Sequence, residues 1–310
     1  MFLNTDSKFI WLNGCFQPFN ETNIHLLTNT LHYGLGVFEG VRAYETKNGG
    51  AIFRLPEHTS RLFDAAKKIN IEIPYSIDEL CSAQKNAMAK NNLLEGYIRP
   101  IVFLGHESMG LRSQDALSVN VAVACWEWPS YMDPEAKKNG ISVIKSPFQQ
   151  YDNPLYSNNK IIGTYVNSIM AVNDAISKGA EEAILMDKNG YISEGSGENL
   201  FIVKNSKLMT PKTDFCLNGI TRQSVISIAK NIDEACLSCP VRKICYDIGV
   251  ENKDYGVWGG VYLSSGEIDK VRNAHKTKEI WIAGFALFSL FSKKLITSHT
   301  VLKLENFLAS

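Results

Sequence analysis

The chain of 310 residues has no surplus of either charge, with Lys plus Arg at 32 and Asp plus Glu at 32. That balance provides no electrostatic footprint for nucleic acid or an anionic membrane. Long apolar runs are scarce too. The run from Ile280 to Phe291 covers twelve residues, whereas a bilayer needs about 20. Met1 to Trp11 carries Asp6 and no apolar core, so no signal peptide is expected. Internal repeats and low-complexity tracts are absent. Cysteine is neither plentiful nor even in number, at seven. Cys15, Cys81, Cys125 and Cys216 stand alone and read as reduced cytoplasmic thiols. Cys236, Cys239 and Cys245 are clustered. Hydrophobic content of 45% and charge of 21% fit an ordinary globular protein of about two domains with material for a large core.

Phe9 to Leu12 and Cys15 to Pro18 flank Asn13-Gly14, a hairpin signal. His25 to Leu31 reads as irregular. Val41 to Tyr44 and Ala51 to Leu55 read as strands joined at Asn48-Gly49-Gly50. A helix over 56–70 would bury Leu62, Ala65, Ala66 and Ile69, and a second would cover 77–91. Tyr97 to Leu104 and Ser118 to Trp126 are strand-like, and Pro129 to Asn139 reads as a linker. Beyond it come a strand over 141–144 and a helix over 164–178. That helix would turn Ile169, Val172 and Ile176 to one face, with Gly179 as its C-terminal cap. Ala183 to Met186 and Tyr191 to Ser193 flank Asn189-Gly190. Asn199 to Val203 and Lys207 to Thr210 follow as strands. A helix over 219–231 would place Val225, Ile228 and Ala229 inward.

Three local patterns suggest chemistry. Lys160 precedes Ile161-Ile162-Gly163. It reads either as a surface charge or as a Schiff-base lysine, whose pKa drops in an apolar pocket. Glu194 ends a strand before Gly195. It is either an exposed loop carboxylate or a partner for a protonated pyridine nitrogen, a role that suits Glu198 less well. Gly219-Ile220-Thr221 opens a helix whose N–H groups and hydroxyl could hold a phosphate, though any N-cap looks similar. Arg61 could add a cationic clamp or be a helix-surface charge.

In combination these patterns resemble the branched-chain amino acid aminotransferases, within the class IV, fold-type IV group of pyridoxal phosphate enzymes. The resemblance runs from about residue 9 to 231. LHYGLGVFEGVRAY (31–44), RLFDAAKKI (61–69), GYIRP (96–100), NKIIGTYVNSIMA (159–171), NGYISEGSGENLF (189–201) and CLNGITR (216–222) carry it. It implies a two-domain α+β fold and transamination between branched-chain L-amino acids (leucine, isoleucine, valine) and 2-oxoglutarate through pyridoxal 5'-phosphate. By the same resemblance, Lys160 would hold the cofactor as a Schiff base and shuttle the α-proton. Tyr165 would lie near its phenolic oxygen and Glu194 would pair with its ring nitrogen. Arg61, Ile220 and Thr221 would bind its phosphate, and Leu217 would pack on the ring. Phe38, Tyr97, Trp128 and Tyr131 would line an apolar side-chain pocket. Arg99 would meet the second carboxylate of glutamate, and Tyr33 would arrive from a neighbouring subunit. A cytoplasmic dimer or larger homo-oligomer with shared sites is implied, acting on amino acids and 2-oxo acids, with neither nucleic acid nor membrane as partner.

After Asn231 the pattern changes. The group's Gly-Thr-Ala-type loop, which binds phosphate and the substrate α-carboxylate, is not found. Residues 235–279, with Cys236, Cys239, Cys245 and Tyr255-Gly256-Val257-Trp258-Gly259-Gly260, resemble the C-terminal half of the WhiB-like iron–sulfur regulators. Those regulators use four cysteines. Three could hold zinc with an outside ligand such as His275, or remain free thiols. The expected division is therefore a small domain at 1–128, a partial large cofactor-binding domain at 135–231, a cysteine-containing segment at 232–279 and an apolar tail at 280–310 that suits exposure or aggregation. An aminotransferase gene interrupted, fused or misassembled near codon 231 is the plainest account. The alternative to transamination is an impaired aminotransferase remnant carrying a cysteine-cluster segment.

Overall fold

The hairpin signal at Asn13-Gly14 needs two residues in the left-handed region, and their φ angles are 48° and 94°. The computed structural model describes residues 8–128, 140–204 and 207–238, with short strands at 256–258, 261–263, 279–283 and 301–302. The expected linker, Pro129 to Asn139, lies outside the described residues. The chain divides into two compact units. One comprises 1–131 and 151–169, the other 132–150 and 170–310.

In the first unit, β1 (Phe9–Leu12), β2 (Cys15–Pro18), β3 (Gly36–Phe38), β4 (Val41–Thr46), β5 (Gly49–Ile52), β6 (Gly96–Leu104) and β7 (Val119–Trp126) form one sheet. Its order is β2-β1-β7-β6-β4-β5, with β3 also on β6. The ladder between β6 and β7 is antiparallel from Tyr97↔Trp126 to Leu104↔Val119. Two helices, α2 (Leu55–Lys68) and α3 (Ile77–Lys90), belong to this unit. A capping box starts α3: Ser76 accepts from Glu79 N–H, and the Glu79 carboxylate accepts from Ser76 N–H. As the spacing predicts, Leu62, Ala65, Ala66 and Ile69 are buried. They join Leu80, Ala87, Ile98, Val102, Val121 and Val123 in one contiguous core. Two expected boundaries differ. Asn29–Tyr33 is a short helix (α1) rather than irregular chain, and β5 stops at Ile52 because Leu55 already opens α2.

The second unit holds β8 (Val143–Lys145), β9 (Glu182–Met186) and β10 (Ile192–Gly195) in the order β10-β9-β8. A second sheet has the order β12 (Lys207–Met209), β11 (Asn199–Lys204), β15 (Glu279–Ala283), β16 (Val301–Leu302). Two helices follow the short α4 (Pro154–Ser157) of the first unit: α5 (Tyr165–Ser177), shared by both units, and α6 (Ile220–Ser238). Gly179 takes φ 79° after α5, and Ala180 N–H returns to Ala175 O, the expected left-handed cap.

The face of α5 differs from expectation. Ala171 and Ala175 are fully buried, while Ile169 is 54% and Ile176 60% exposed. Small side chains allow the close approach of Ala180, Ala183 and Leu185, and that packing overrides residue hydrophobicity. Ile228 is likewise exposed rather than inward.

The helix α6 passes Asn231 without a break and ends at Ser238. The tail contributes β15, paired with β11 from Asn199↔Ala283 to Val203↔Glu279 and with β16 on its other edge. Residues 280–283 are thus strand. β13 (Gly256–Trp258) and β14 (Val261–Leu263) form an antiparallel pair. Among the described residues, no helix is long and apolar enough to cross a membrane.

Candidate active site

Lys160 is placed by backbone. An isolated antiparallel bridge joins Val37 to Ile161, and Phe38 N–H donates to Lys160 O at 3.1 Å. Gly163 N–H donates to Gly34 O at 2.9 Å. A Cβ on Gly34 would meet Gly163 Cα at 2.7 Å, and Gly34 has φ 71°, so only glycine suits this approach. Neighbouring Asn159 is buried. It donates to Leu155 O at 2.8 Å and accepts from Lys68 Nζ at 3.1 Å.

The half-buried Lys160 Nζ donates to Tyr165 Oη at 2.7 Å. It lies 5.4 Å from the Phe38 ring centroid and 5.3 Å from that of Tyr165. Burial pulls the amine pKa down, but Tyr165 and the Glu39 carboxylate outweigh it, so the net shift is upward. The lowered pKa expected of an apolar pocket is therefore corrected: Ile161 and Ile162 follow Lys160 in sequence, yet a phenol and a carboxylate set its charge.

Glu39 and His58 were not singled out from sequence. Glu39 is 1% exposed. Its Oε1 accepts from Arg61 Nε at 2.6 Å and its Oε2 from Arg61 Nη2 at 2.9 Å. His58 Nδ1 lies 2.9 Å from Oε2. Burial pushes the carboxyl up, but the Arg61 charge and the hydrogen bonds from His58 and Arg61 overcome that and hold it at about 2. Burial keeps the His58 pKa low. A charged residue inside the apolar run Val37 to Val41, and a histidine three positions before Arg61 on one helix, were the available signals. Arg61 is accordingly an ion-paired side chain rather than a surface charge.

Aromatic residues surround Arg99. Its guanidinium lies 4.5 Å from the Phe38 centroid, 5.2 Å from Tyr97 and 6.0 Å from Trp126. Nη2 donates to Tyr97 Oη at 2.9 Å. Nε is buried without a hydrogen-bond partner among the described residues. Tyr97 packs on Trp126 and Trp128 at 5.0 and 4.8 Å, and Phe38 meets Tyr165 edge-on at 4.6 Å. A Cβ at Gly40 would collide with Tyr97 Oη, so the glycine is the seat of that ring. Tyr33 is half-exposed, at 45%. Tyr131 lies outside the described residues.

In the second unit, buried Glu194 is held by polar groups. Oε1 accepts from Gln150 Nε2 at 2.5 Å, and Oε2 from Asn199 Nδ2 at 3.3 Å and Leu217 N–H at 3.2 Å. Asn199 also donates to Leu217 O at 2.8 Å, and Ser193 Oγ to Phe215 O at 2.6 Å. Burial, then Glu194, pushes the Cys216 thiol up to about 12. Arg222 donates to Pro211 O at 2.9 Å and Asn218 Oδ1 at 3.2 Å, fastening the loop that leads to buried Ile220 and to Thr221. Glu198 is also buried and accepts from its neighbour Gly197 N–H at 3.2 Å. Among the described residues no group of His, Cys, Asp and Glu could hold a metal. Cys239, Cys245 and His275 lie outside them, and nothing is described of the Cys236 side chain within α6.

Residues 36–246 match the family described as amino-transferase class IV. The chain belongs to the class IV aminotransferases. The match extends to residue 246. The chain is 49% identical to a branched-chain-amino-acid aminotransferase of Pseudomonas aeruginosa over 221 residues, which is 71% of this chain and 72% of that one. It is similar to the crystal structure of the T.th. branched-chain amino acid aminotransferase with pyridoxamine 5'-phosphate, with TM-score 0.69 and 41% identity over 73% of this chain and 74% of that one. The same T.th. enzyme complexed with N-(5'-phosphopyridoxyl)-L-glutamate gives a TM-score of 0.68 and 40% identity over 73% and 74% of the two chains. The α+β fold of this class IV aminotransferase is that of the fold-type IV enzymes.

Proposed function

We propose that this chain exchanges an amino group between branched-chain L-amino acids (leucine, isoleucine and valine) and 2-oxoglutarate, giving branched-chain 2-oxo acids and glutamate, with pyridoxal 5'-phosphate as cofactor. The observation that carries this reading is the Lys160 amine. It is bonded to the Tyr165 hydroxyl beside the aromatic shell of Arg99, in a chain whose relatives are branched-chain aminotransferases.

The donors in each unit suit the cofactor. The first unit offers an amine for an aldehyde and a guanidinium for a dianion. The second offers a buried carboxylate for a protonated ring nitrogen and a helix start at Ile220 and Thr221 for phosphate. When bound, the cofactor supplies an electron sink for the pair left on the substrate α-carbon. With the cofactor bound, Lys160 Nζ, hydrogen-bonded to Tyr165 Oη, would be the group that takes the α-proton and returns it. Glu194 would pair with the ring nitrogen, Leu217 would pack on the ring, and Arg61, Ile220 and Thr221 would bind the phosphate.

Phe38, Tyr97 and Trp128 would form the apolar wall for a branched side chain, a role the resemblance gives to Tyr131 as well. Arg99, whose Nε has no hydrogen-bond partner among the described residues, receives the second carboxylate of glutamate. One pocket thereby accepts two unlike side chains. Tyr33, half-exposed, reaches the site of a second copy in a homo-oligomer. Residues 1–128 act as the small domain and 135–231 as the large one. Free Cys15, Cys81, Cys125 and Cys216 support a cytoplasmic setting. The likeness of 235–279 to WhiB-like regulators rests on sequence alone.

Protein supplied with pyridoxal 5'-phosphate, leucine and 2-oxoglutarate is expected to yield glutamate and 4-methyl-2-oxopentanoate in equal amounts by chromatography. A preparation that keeps its cofactor through dialysis yet makes no glutamate from leucine, isoleucine or valine would overturn the substrate assignment. One that keeps no cofactor would favour the impaired remnant. Elemental analysis of the same preparation decides the cysteine segment, since metal-free protein that transaminates removes the iron–sulfur and zinc readings.

A further inference from the structure

We propose that Glu39 is a positioning residue that presets the Arg61 guanidinium for a phosphate dianion; the inference rests on the cofactor reading above. Glu39 sits in the turn between β3 and β4, with Val37 and Val41 fully buried on either side. A carboxylate there needs compensation. It receives Arg61 Nε at 2.6 Å and Nη2 at 2.9 Å, His58 Nδ1 at 2.9 Å, and the Gly40 N–H at 3.2 Å.

An ionised carboxylate only accepts, so His58 must carry its hydrogen on Nδ1. With the histidine neutral, Glu39 and Arg61 cancel and the network holds no net charge. A buried ion pair of this kind is often no more stabilising than an apolar pair of the same volume, so core stability is a weak account of it. Orientation is a stronger one. Side-on pairing uses the Nε edge of the guanidinium and fixes its plane, which turns the Nη1 edge away from the carboxylate. The Arg61 side chain is 18% exposed while Glu39 is 1% exposed, so the carboxylate serves as the inner anchor and the arginine as the outer group. A guanidinium already held in one plane loses little freedom when it grips an anion.

Glu39→Gln keeps the size of the side chain but places an amide N–H against an Arg61 donor whichever way it is turned, since both carboxylate oxygens accept from Arg61. Equilibrium dialysis would compare pyridoxal 5'-phosphate with pyridoxal, which lacks the phosphate. In Glu39→Gln the affinity for the phosphorylated compound is expected to fall about 10-fold or more, with that for pyridoxal changed by less than about twofold. Arg61→Lys should show the same selective loss, and the double variant should add little to it. Glu39→Asp, which keeps the charge, should fall between wild type and Glu39→Gln, and it decides the matter alone if the glutamine variant does not fold. Equal losses for both compounds would make Glu39 a fold residue and overturn the proposal. Tighter binding of pyridoxal 5'-phosphate would also overturn it, because Glu39 would then merely repel the dianion. A wild-type chain with no preference for the phosphorylated compound would sink both this inference and the cofactor reading. A wild-type preference that survives Glu39→Gln would sink the inference alone.

Discussion

The unit that carries Lys160 encloses one contiguous core, from Trp11 to Ile161. Among the described residues, the unit that carries Glu194 holds two small clusters, one of four buried residues around Ile184 and Leu200 and one of five around Ala175 and Leu185. Their functional groups are held by correspondingly different means. Lys160 is fixed by a backbone bridge into the core, through Val37 and Ile161. Glu194 is fixed by hydrogen bonds from Gln150, Asn199 and the Leu217 N–H. In the proposed reading, the amine that moves a proton swings on a rigid base, while the carboxylate that stays put is tied at both oxygens.

The sharpest way to break that contrast is Lys160→Ala. If the first unit matters for chemistry as well as packing, turnover of leucine should fall by about 10^3-fold or more. The melting temperature should change little, since the side chain is half-buried and bonded to Tyr165 Oη. Steady-state kinetics and calorimetry on one preparation check both halves. Turnover within tenfold of wild type would remove Lys160 from the reaction.

A pair of core truncations measures the packing side. Leu62 is fully buried in the larger core and Leu185 1% exposed in the five-residue cluster. Leu62→Ala should cost about 3–5 kcal/mol and Leu185→Ala nearer 2–3 kcal/mol, because a thin cluster collapses more readily around a lost side chain. Denaturant unfolding followed separately in each unit would show it. Equal costs would mean that the two cores are comparably tight.

The same contrast governs what the sequence could disclose. Helical spacing located Leu62, Ala65, Ala66 and Ile69 because a large core selects bulky residues on one face. It failed for α5, where Ala171 and Ala175 are buried and Ile169 and Ile176 exposed, because the packing there demands small side chains and spacing cannot report how close a neighbour lies. Motif resemblance drew out Lys160, Tyr165, Arg61 and Glu194, which the structure sets among polar or aromatic partners. It passed over Glu39 and His58, whose significance lies in pairing across 19 and 22 residues of sequence. No local pattern shows that a carboxylate in a turn meets a helix. The strand Glu279–Ala283 was missed for a similar reason: its partner, β11, precedes it by 75 or more residues in the ladder, and a short apolar run alone does not specify a strand.

The smallest expected effect lies in acid. The Glu39 carboxyl is held at about 2, against an ordinary 4.5. A lowered folded-state pKa contributes stability that is complete above the unfolded value and is lost as pH falls toward the folded one. Between pH 6 and pH 3 the wild type should therefore lose on the order of 2 kcal/mol through this group, beyond what its other carboxylates lose. Glu39→Gln cannot titrate, so its stability curve should be flatter by that amount over the same interval. If the two curves run parallel from pH 6 to pH 3, Glu39 is not held ionised by Arg61 and His58. The first unit would then owe its order to the apolar core alone.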